Sequence, residues 1–215
     1  TVNPSLWRQA RLNRNAGLFQ VAEGIHQVRG LDLSNITVIE GDTGRIVIDP
    51  LTSAETAKAA IDLVDSALGP RPITTVIYTH SHVDHFAGVR GIVDDAAVAR
   101  GDVQIVAPEG FLHAAVSENV IAGNVMQRRA TYMYGNLLAP SPTGFITTGL
   151  GAALSMGSTG FIVPNDLIRE SGEQRLIEQR LPHRSGRPIR QAEVGDRPVQ
   201  VRLGCQQVGP QGREL

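Results

Sequence analysis

Ile73-Thr74-Thr75-Val76-Ile77-Tyr78-Thr79-His80-Ser81-His82-Val83-Asp84-His85 is the stretch that decides how this chain is read. Its first seven residues are β-branched or aromatic, the side chains that suit a pleated, half-buried surface. They predict a strand over 73–79. Three histidines and an aspartate then follow within six residues, at the strand's C-terminal end. Upstream, Arg45-Ile46-Val47-Ile48-Asp49 predicts a strand that is apolar on both faces and therefore central in its sheet. It forms a hairpin with Asn35-Ile36-Thr37-Val38-Ile39-Glu40 across Gly41-Asp42-Thr43-Gly44. A further hairpin joins 17–21 to 25–29. Between the central strand and the histidine segment, Ala57, Ala60, Ile61, Val64 and Leu68 recur at helical spacing. Thr52 and Glu55 have capping-box spacing at the start, and Gly69-Pro70 is the stop. Downstream, Val103-Gln104-Ile105-Val106-Ala107 predicts another buried strand. Residues 109–133 read as helical with a break at Gly123-Asn124, and Phe161-Ile162-Val163-Pro164 returns to strand character. Alternating β and α elements predict an α/β layered fold.

The chain has 215 residues, is 41% hydrophobic and carries a formal net charge of -1. That length suffices for a real core without disulfides. The single cysteine, Cys205, excludes an internal disulfide and any multi-cysteine metal cluster. Near-neutral charge argues against nucleic acid as a partner, and no apolar run approaches the roughly 20 residues of a membrane span. The chain starts at Thr1 with no basic-then-apolar leader, which reads as a processed form or fragment and leaves the compartment unassigned.

His80 and His82 are two apart, so extended backbone points both imidazoles to one side. Asp84 and His85 follow where a tight turn can aim them at a neighbouring point. Neutral imidazole and carboxylate are the donors of divalent zinc when thiolates are absent. The spacing suits two adjacent ions, one held by His80 and His82, the other by Asp84 and His85. The competing reading, a chance group of solvated histidines, does not explain their place behind a buried strand.

The stretch His80-Ser81-His82-Val83-Asp84-His85 resembles the HxHxDH motif of the metallo-β-lactamase superfamily. Longer blocks resemble the alkyl sulfatases of that superfamily: Asn3-Pro4-Ser5-Leu6-Trp7-Arg8-Gln9, Ile48-Asp49-Pro50-Leu51-Thr52-Ser53-Ala54-Glu55-Thr56, Ser117-Glu118-Asn119-Val120, and Tyr132-Met133-Tyr134-Gly135-Asn136-Leu137-Leu138. The resemblance runs from about Asn3 to about Ile177. It implies a metallo-β-lactamase-like αββα sandwich, incomplete at its C-terminal side. It also implies two zinc ions and hydrolysis of linear alkyl sulfate esters such as dodecyl sulfate, with water attacking carbon and sulfate leaving. His80, His82, Asp84 and His85 take the metal-ligand positions. Asp84 also accepts a hydrogen bond from the nucleophile. No substrate-binding residue is assigned. The family's further ligands, glutamates and a histidine, lie downstream of a segment like 160–177, as do its helical dimerisation domain and a sterol-carrier-like domain. None of these is recognisable here. A thioesterase, lactonase or β-lactamase of the same superfamily is the alternative enzyme, and an inactive truncated product is the alternative of another kind.

Residues 178–215 differ in composition from the rest. Seven Arg stand against four acids, and aromatic residues are absent. Such a segment buries little apolar surface against its ordering entropy. The expected division is therefore 1–177, the N-terminal part of a catalytic domain, and 178–215, a divergent tail that is disordered or read in a shifted frame. No ligand role passes to Glu178, His183, Glu193 or Glu214. Weaker candidates remain. Asp49 could support the metal histidines or merely cap a turn. Glu109 and His113 share a helix face. Arg128 and Arg129 could attract sulfate, and Tyr132 and Tyr134 could donate to an ester oxygen. Met126, Met133, Leu137 and Leu138 could touch an alkyl chain, although such a stripe suits a core.

Overall fold

The computed structural model describes residues 2–177 and 200–202. Its element order begins with helix α1 (Pro4–Leu12), strands β1 (Gly17–Ala22), β2 (Ile25–Arg29), β3 (Ile36–Glu40) and β4 (Arg45–Ile48), then helix α2 (Ala54–Leu68) and strand β5 (Ile73–Ile77). Helix α3 (Asp95–Ala99), strand β6 (Gln104–Pro108), helices α4 (Phe111–Val116) and α5 (Gly123–Tyr134), and strand β7 (Asp166–Ile168) follow. Strands β8 (Gln174–Leu176) and β9 (Gln200–Arg202) form a separate antiparallel pair. The rest of the expected tail, Cys205 included, lies outside the described residues.

Strands β1 to β7 form one sheet in sequence order. The first three pairings, β1 with β2 through β3 with β4, are antiparallel, and the next three, from β4 with β5 to β6 with β7, are parallel. Strand β4 is fourth of seven, the central place its all-apolar run predicts. Alternation divides the sheet's two faces. Val38, Val47, Val76, Ile105 and Ala107 pack toward Ala60 and Val64 of α2. Ile46, Ile77, Val106 and Ile168 face the other way and meet Ile177. The chain after β7 therefore turns back over the face opposite α2. The α/β layered class holds, and the described residues build a helix layer and a sheet of the expected sandwich.

Two local expectations need correction. The N-cap of α2 is Ser53, whose Oγ accepts from Thr56 N at 3.2 Å. Thr52 does not cap because its N–H and hydroxyl both donate to the buried Asp32 carboxylate, at 3.0 and 3.1 Å. Glu55 is thereby released from the capping box and instead accepts from Ser158 N at 2.9 Å and Ser158 Oγ at 2.8 Å, pinning the 139–160 loop. Residues 161–164 are not a strand. Pro164 has no N–H for a ladder, so pairing begins after it, with Asn165 Oδ1 accepting from Ile105 N at 2.8 Å. The N-terminal segment is a helix capped by Asn3 with proline in its first turn.

Arg45 was not foreseen as core. It is fully buried at the start of β4. Its guanidinium pairs with Glu40 at 2.6 Å, with Asp65 of α2, and donates to the Gly69 carbonyl at 2.7 Å. Each of the three guanidinium nitrogens has a partner, which is the condition for tolerating a buried charge.

The turn after the histidine segment is pressed against the connection from β4 to α2. A Cβ on Gly88 would lie 2.2 Å from the Pro50 carbonyl oxygen and 2.5 Å from that of Ser53. On Gly91 it would lie 2.0 Å from the Ala54 carbonyl oxygen. Both obstacles are backbone, so neither can step aside. Gly88→Ala and Gly91→Ala should each cost about 1–3 kcal/mol, the usual range for overpacking. Gly123 has open space where its Cβ would go, so Gly123→Ala should be neutral or gain up to about 1 kcal/mol. Urea unfolding of the three variants checks both, and equal losses at Gly88 and Gly123 would contradict the packing argument.

Candidate metal centre

After β5 the backbone bends at His80 and Ser81, is extended at His82, and then makes one 3-10 turn, Val83–His85. This change of course brings the rings together. His80 lies 4.6 Å from His82 and 4.1 Å from His85, centroid to centroid. Asp84 Oδ2 lies 3.2 Å from His85 Nε2. Behind the turn, Phe86 packs among Tyr78, Phe111 and Phe161 at 5.3–6.1 Å. The donors thus stand on an aromatic floor at the C-terminal ends of β4 and β5, with His80 and His82 exposed and Asp84 and His85 half-buried.

Asp49 organises the group. Its Oδ1 accepts from Thr79 N at 2.9 Å. Its Oδ2 accepts from Thr79 Oγ1 at 2.8 Å and faces His85 Nδ1 at 2.8 Å. A carboxylate only accepts, so His85 Nδ1 carries a proton and Nε2 is the nitrogen turned toward Asp84. Thr79 spends its one proton on Asp49, so its oxygen accepts from His80 Nδ1, 2.9 Å away. His80 is then left with Nε2 to offer. One aspartate selects the tautomer of two histidines, directly and through a hydroxyl. That settles Asp49 as support for the histidines rather than as a cap.

Asp49 and Leu51 both hold positive φ, 57° and 60°. This backbone region costs a leucine about 1–2 kcal/mol. Full burial of Leu51 and the three bonds to Asp49 hold the strained turn in place. Asp84 is tied from the other side, its carbonyl accepting from Ser34 Oγ.

Charge follows this geometry. Burial works against a charged His85, but bonds to Asp49 and Asp84 outweigh it and raise its pKa to about 9. Burial would raise the Asp84 pKa, yet the hydrogen bond and charge of His85 hold it below the ordinary carboxylate value. His80 is pushed down by burial, then by its two histidine neighbours. Without metal, a proton on His85 occupies the space between it and Asp84. A divalent cation bound between them would take that proton's place, since ligating imidazole must be neutral. The donor chemistry suits such a cation as far as it goes. The donors stand in pairs, and among the described residues no three His, Cys, Asp or Glu side chains converge to hold an ion.

The weaker candidates are elsewhere. Glu109 pairs with Arg169 at 3.9 Å, and His113 is exposed. Arg128 and Arg129 are exposed on α5. Tyr134 is half-buried, but Tyr132 is 84% exposed. Met133, Leu137 and Leu138 are exposed, not core. Glu118 was missed. Its Oε1 lies 3.5 Å from His82 Nε2. Asp32 was missed as well: it accepts from Thr52, Thr56 and Ser155 hydroxyls and joins the loop before β3 to the start of α2. Neither carboxylate has a spacing signal, because each acts on residues far away in sequence.

The family model of the metallo-beta-lactamase superfamily matches residues 29–193. The chain belongs to this superfamily. A linear primary-alkylsulfatase of Pseudomonas sp. is 55% identical over 178 residues, 83% of this chain and 26% of that protein. An alkyl/aryl-sulfatase of Saccharomyces cerevisiae is 51% identical over 178 residues, 83% of this chain and 28% of its own length. The solved structure of a stereoselective inverting sec-alkylsulfatase of Pseudomonas sp. superposes with a TM-score of 0.79 at 47% identity, covering 82% of this chain and 28% of that one. The chain therefore spans about a quarter of the length of the relatives it matches. Membership of the superfamily implies a metal.

Two outcomes follow. Asp49→Asn should weaken zinc binding about 10- to 100-fold, the usual loss when a ligand's orienting partner goes, and should return the His85 pKa toward its ordinary value. Competition with a chromophoric chelator and NMR titration read these out. If His85 ligates zinc it must give up its proton, so zinc affinity should then rise with pH up to about 9, near tenfold per unit. Stability of the metal-free chain should run oppositely. The contribution of protonated His85 is complete below about pH 6.5, its ordinary value, and is lost as pH rises through about 9. A pH-independent zinc affinity would contradict the exchange of proton for metal.

Proposed function

We propose that this chain carries the metal-binding part of a hydrolase active site acting on linear alkyl sulfate esters. The observation that carries the reading is the Asp49 network. Free surface histidines do not need a buried carboxylate selecting their tautomers, whereas metal ligands regularly have one. The substrate class rests on the named alkylsulfatases, 55% and 51% identical over most of this chain.

In this reading His80, His82, Asp84 and His85 are ligands, and two zinc ions are held in the complete site. Bound zinc lowers the pKa of water to near neutrality and orients it. The chain's own residues do the rest. Asp49 keeps Nε2 of His80 and of His85 turned into the site. Asp84, ionised at neutral pH beside His85, accepts a hydrogen bond from the attacking water. The aromatic floor of Phe86, Phe111 and Phe161 keeps bulk water from the back of the site and fixes the turn. Closing each shell to four donors takes side chains beyond those the described residues bring together. We extend the reading to domain organisation: residues 1–177 form the N-terminal part of the catalytic domain, with the segment after it separate in character.

Dodecyl sulfate, a thioester and a β-lactam should be offered to the zinc-loaded chain in parallel. Sulfate release from dodecyl sulfate alone is expected, and His82→Ala or His85→Ala should abolish it. Preference for either other substrate overturns the substrate class. Metal analysis separates the remaining alternative: two tightly held zinc ions with turnover refute an inactive chain, and weak uptake with no turnover establishes one.

A further inference from the structure

Asp49 orients His80 and His85, but it does not reach His82. The ring of His82 is the most open of the three, with 60% of its side chain exposed. What faces it comes from the other side of the site. After α4 the helix is interrupted by one π-helical turn, Ser117–Ile121. Such turns insert an extra residue at a cost in regular bonding and recur where a side chain has to be placed. Here the turn sets Glu118 and Asn119 against the loop that carries the histidines. Asn119 Nδ2 donates to the Ser81 carbonyl at 3.2 Å and to the Ala115 carbonyl at 2.9 Å. Ser81 Oγ donates to Glu118 Oε2 at 3.5 Å. Glu118 Oε1 lies 3.5 Å from His82 Nε2, and its side chain is only 22% exposed. Among the described residues, His82 is the basic side chain that faces this half-buried carboxylate.

We propose that Glu118 is the positioning residue of His82. It accepts from Nε2–H, fixes that tautomer, and leaves Nδ1 as the nitrogen offered to a metal. The inference rests on the reading of the cluster as a metal centre. It makes the site two-handed. Asp49, on the β4 side, leaves Nε2 of His80 and His85 free. Glu118, on the helical side, leaves the opposite nitrogen of His82. Two adjacent residues on one π turn hold a ligand and the backbone next to it, Glu118 through the His82 ring and Asn119 through the Ser81 carbonyl. The 3.5 Å separation is longer than a well-formed N–H···O bond, which places the expected effect at the lower end of the range for orienting partners, about tenfold.

The test uses the full 215-residue chain labelled with 15N-histidine. Zinc is added to the parent, Glu118→Ala and Glu118→Gln, with affinity read by chelator competition and the metallated nitrogen by 15N shift. In the parent, Nδ1 of His82 should be the nitrogen that moves. Glu118→Ala should lose about tenfold in zinc affinity with an unchanged melting temperature. Glu118→Gln keeps an acceptor oxygen and should fall between the two with Nδ1 still metallated. Metallation of His82 at Nε2 in the parent overturns the inference. So does an alanine variant within twofold of the parent, or one whose lost affinity tracks lost thermal stability. A parent that takes up no zinc sinks the metal-centre reading and the inference with it. A parent that binds zinc alongside an alanine variant that matches it sinks only the inference.

Discussion

The contact between the Asp49 carboxylate and the Thr79 backbone N–H joins the ends of two neighbouring parallel strands, and the site depends on it. Strand β4 ends one residue before Asp49, and β5 ends two before Thr79. Parallel strands leave their last N–H groups unpaired where they part. A carboxylate placed in the gap satisfies one of them and has an oxygen left over. That second oxygen takes the Thr79 hydroxyl and His85 Nδ1. Sheet closure and histidine orientation are thus one set of bonds. The positive φ at Asp49 belongs to the same set, because it turns the side chain back across the strand ends. The structure accepts local strain there and recovers it in hydrogen bonds and in the burial of Leu51.

The same logic explains why the loops around the site are so tightly tied. Asp32, almost fully buried, is satisfied by N–H and hydroxyl donors from Thr52, Thr56 and Ser155. It fixes the start of α2 with respect to the loop before β3. Two residues on, Ser34 donates to the Asp84 carbonyl. Glycines 88 and 91 let the backbone after His85 lie directly on that helix start. The histidine segment is therefore held from beneath by β4, from one side by α2 and from the other by the π turn at Glu118. Rigidity of this kind keeps donors near productive geometry before any ligand arrives.

Much of this was legible in the sequence, and the part that was not shares one cause. Strands β3, β4, β5 and β6 and helix α2 were readable because each is set by its own residues, through apolar alternation or helical spacing. The His80–His85 segment was readable because its donors are local. Asp32, Arg45 and Glu118 were not. Each is a charged residue whose meaning lies in partners 5 to 123 positions away, and periodicity carries no information about such pairs. The misread cap at Thr52 has the same origin: Asp32 claimed its donors. The strand expected at 161–164 failed for a local reason that proline should have signalled. The stripe of Met133, Leu137 and Leu138 failed differently, because apolar spacing indicates a face to be covered without saying what covers it.

What the described residues leave open is electrostatic rather than topological. Asp49, Asp84 and Glu118 bring negative charge to three imidazoles, and the proton that His85 holds, its pKa raised to about 9 by Asp49 and Asp84 against the effect of burial, is the metal-free answer to that imbalance. A proton neutralises one carboxylate contact and cannot serve His80 and His82 at once. A divalent cation can, because it accepts lone pairs from several rings and tolerates carboxylates around it. The carboxylates surrounding this cluster therefore favour positive charge among the three rings, which agrees with the metal that superfamily membership implies. The donors stand in pairs, so a cation bound at either pair would meet only part of a four-donor shell among the described residues.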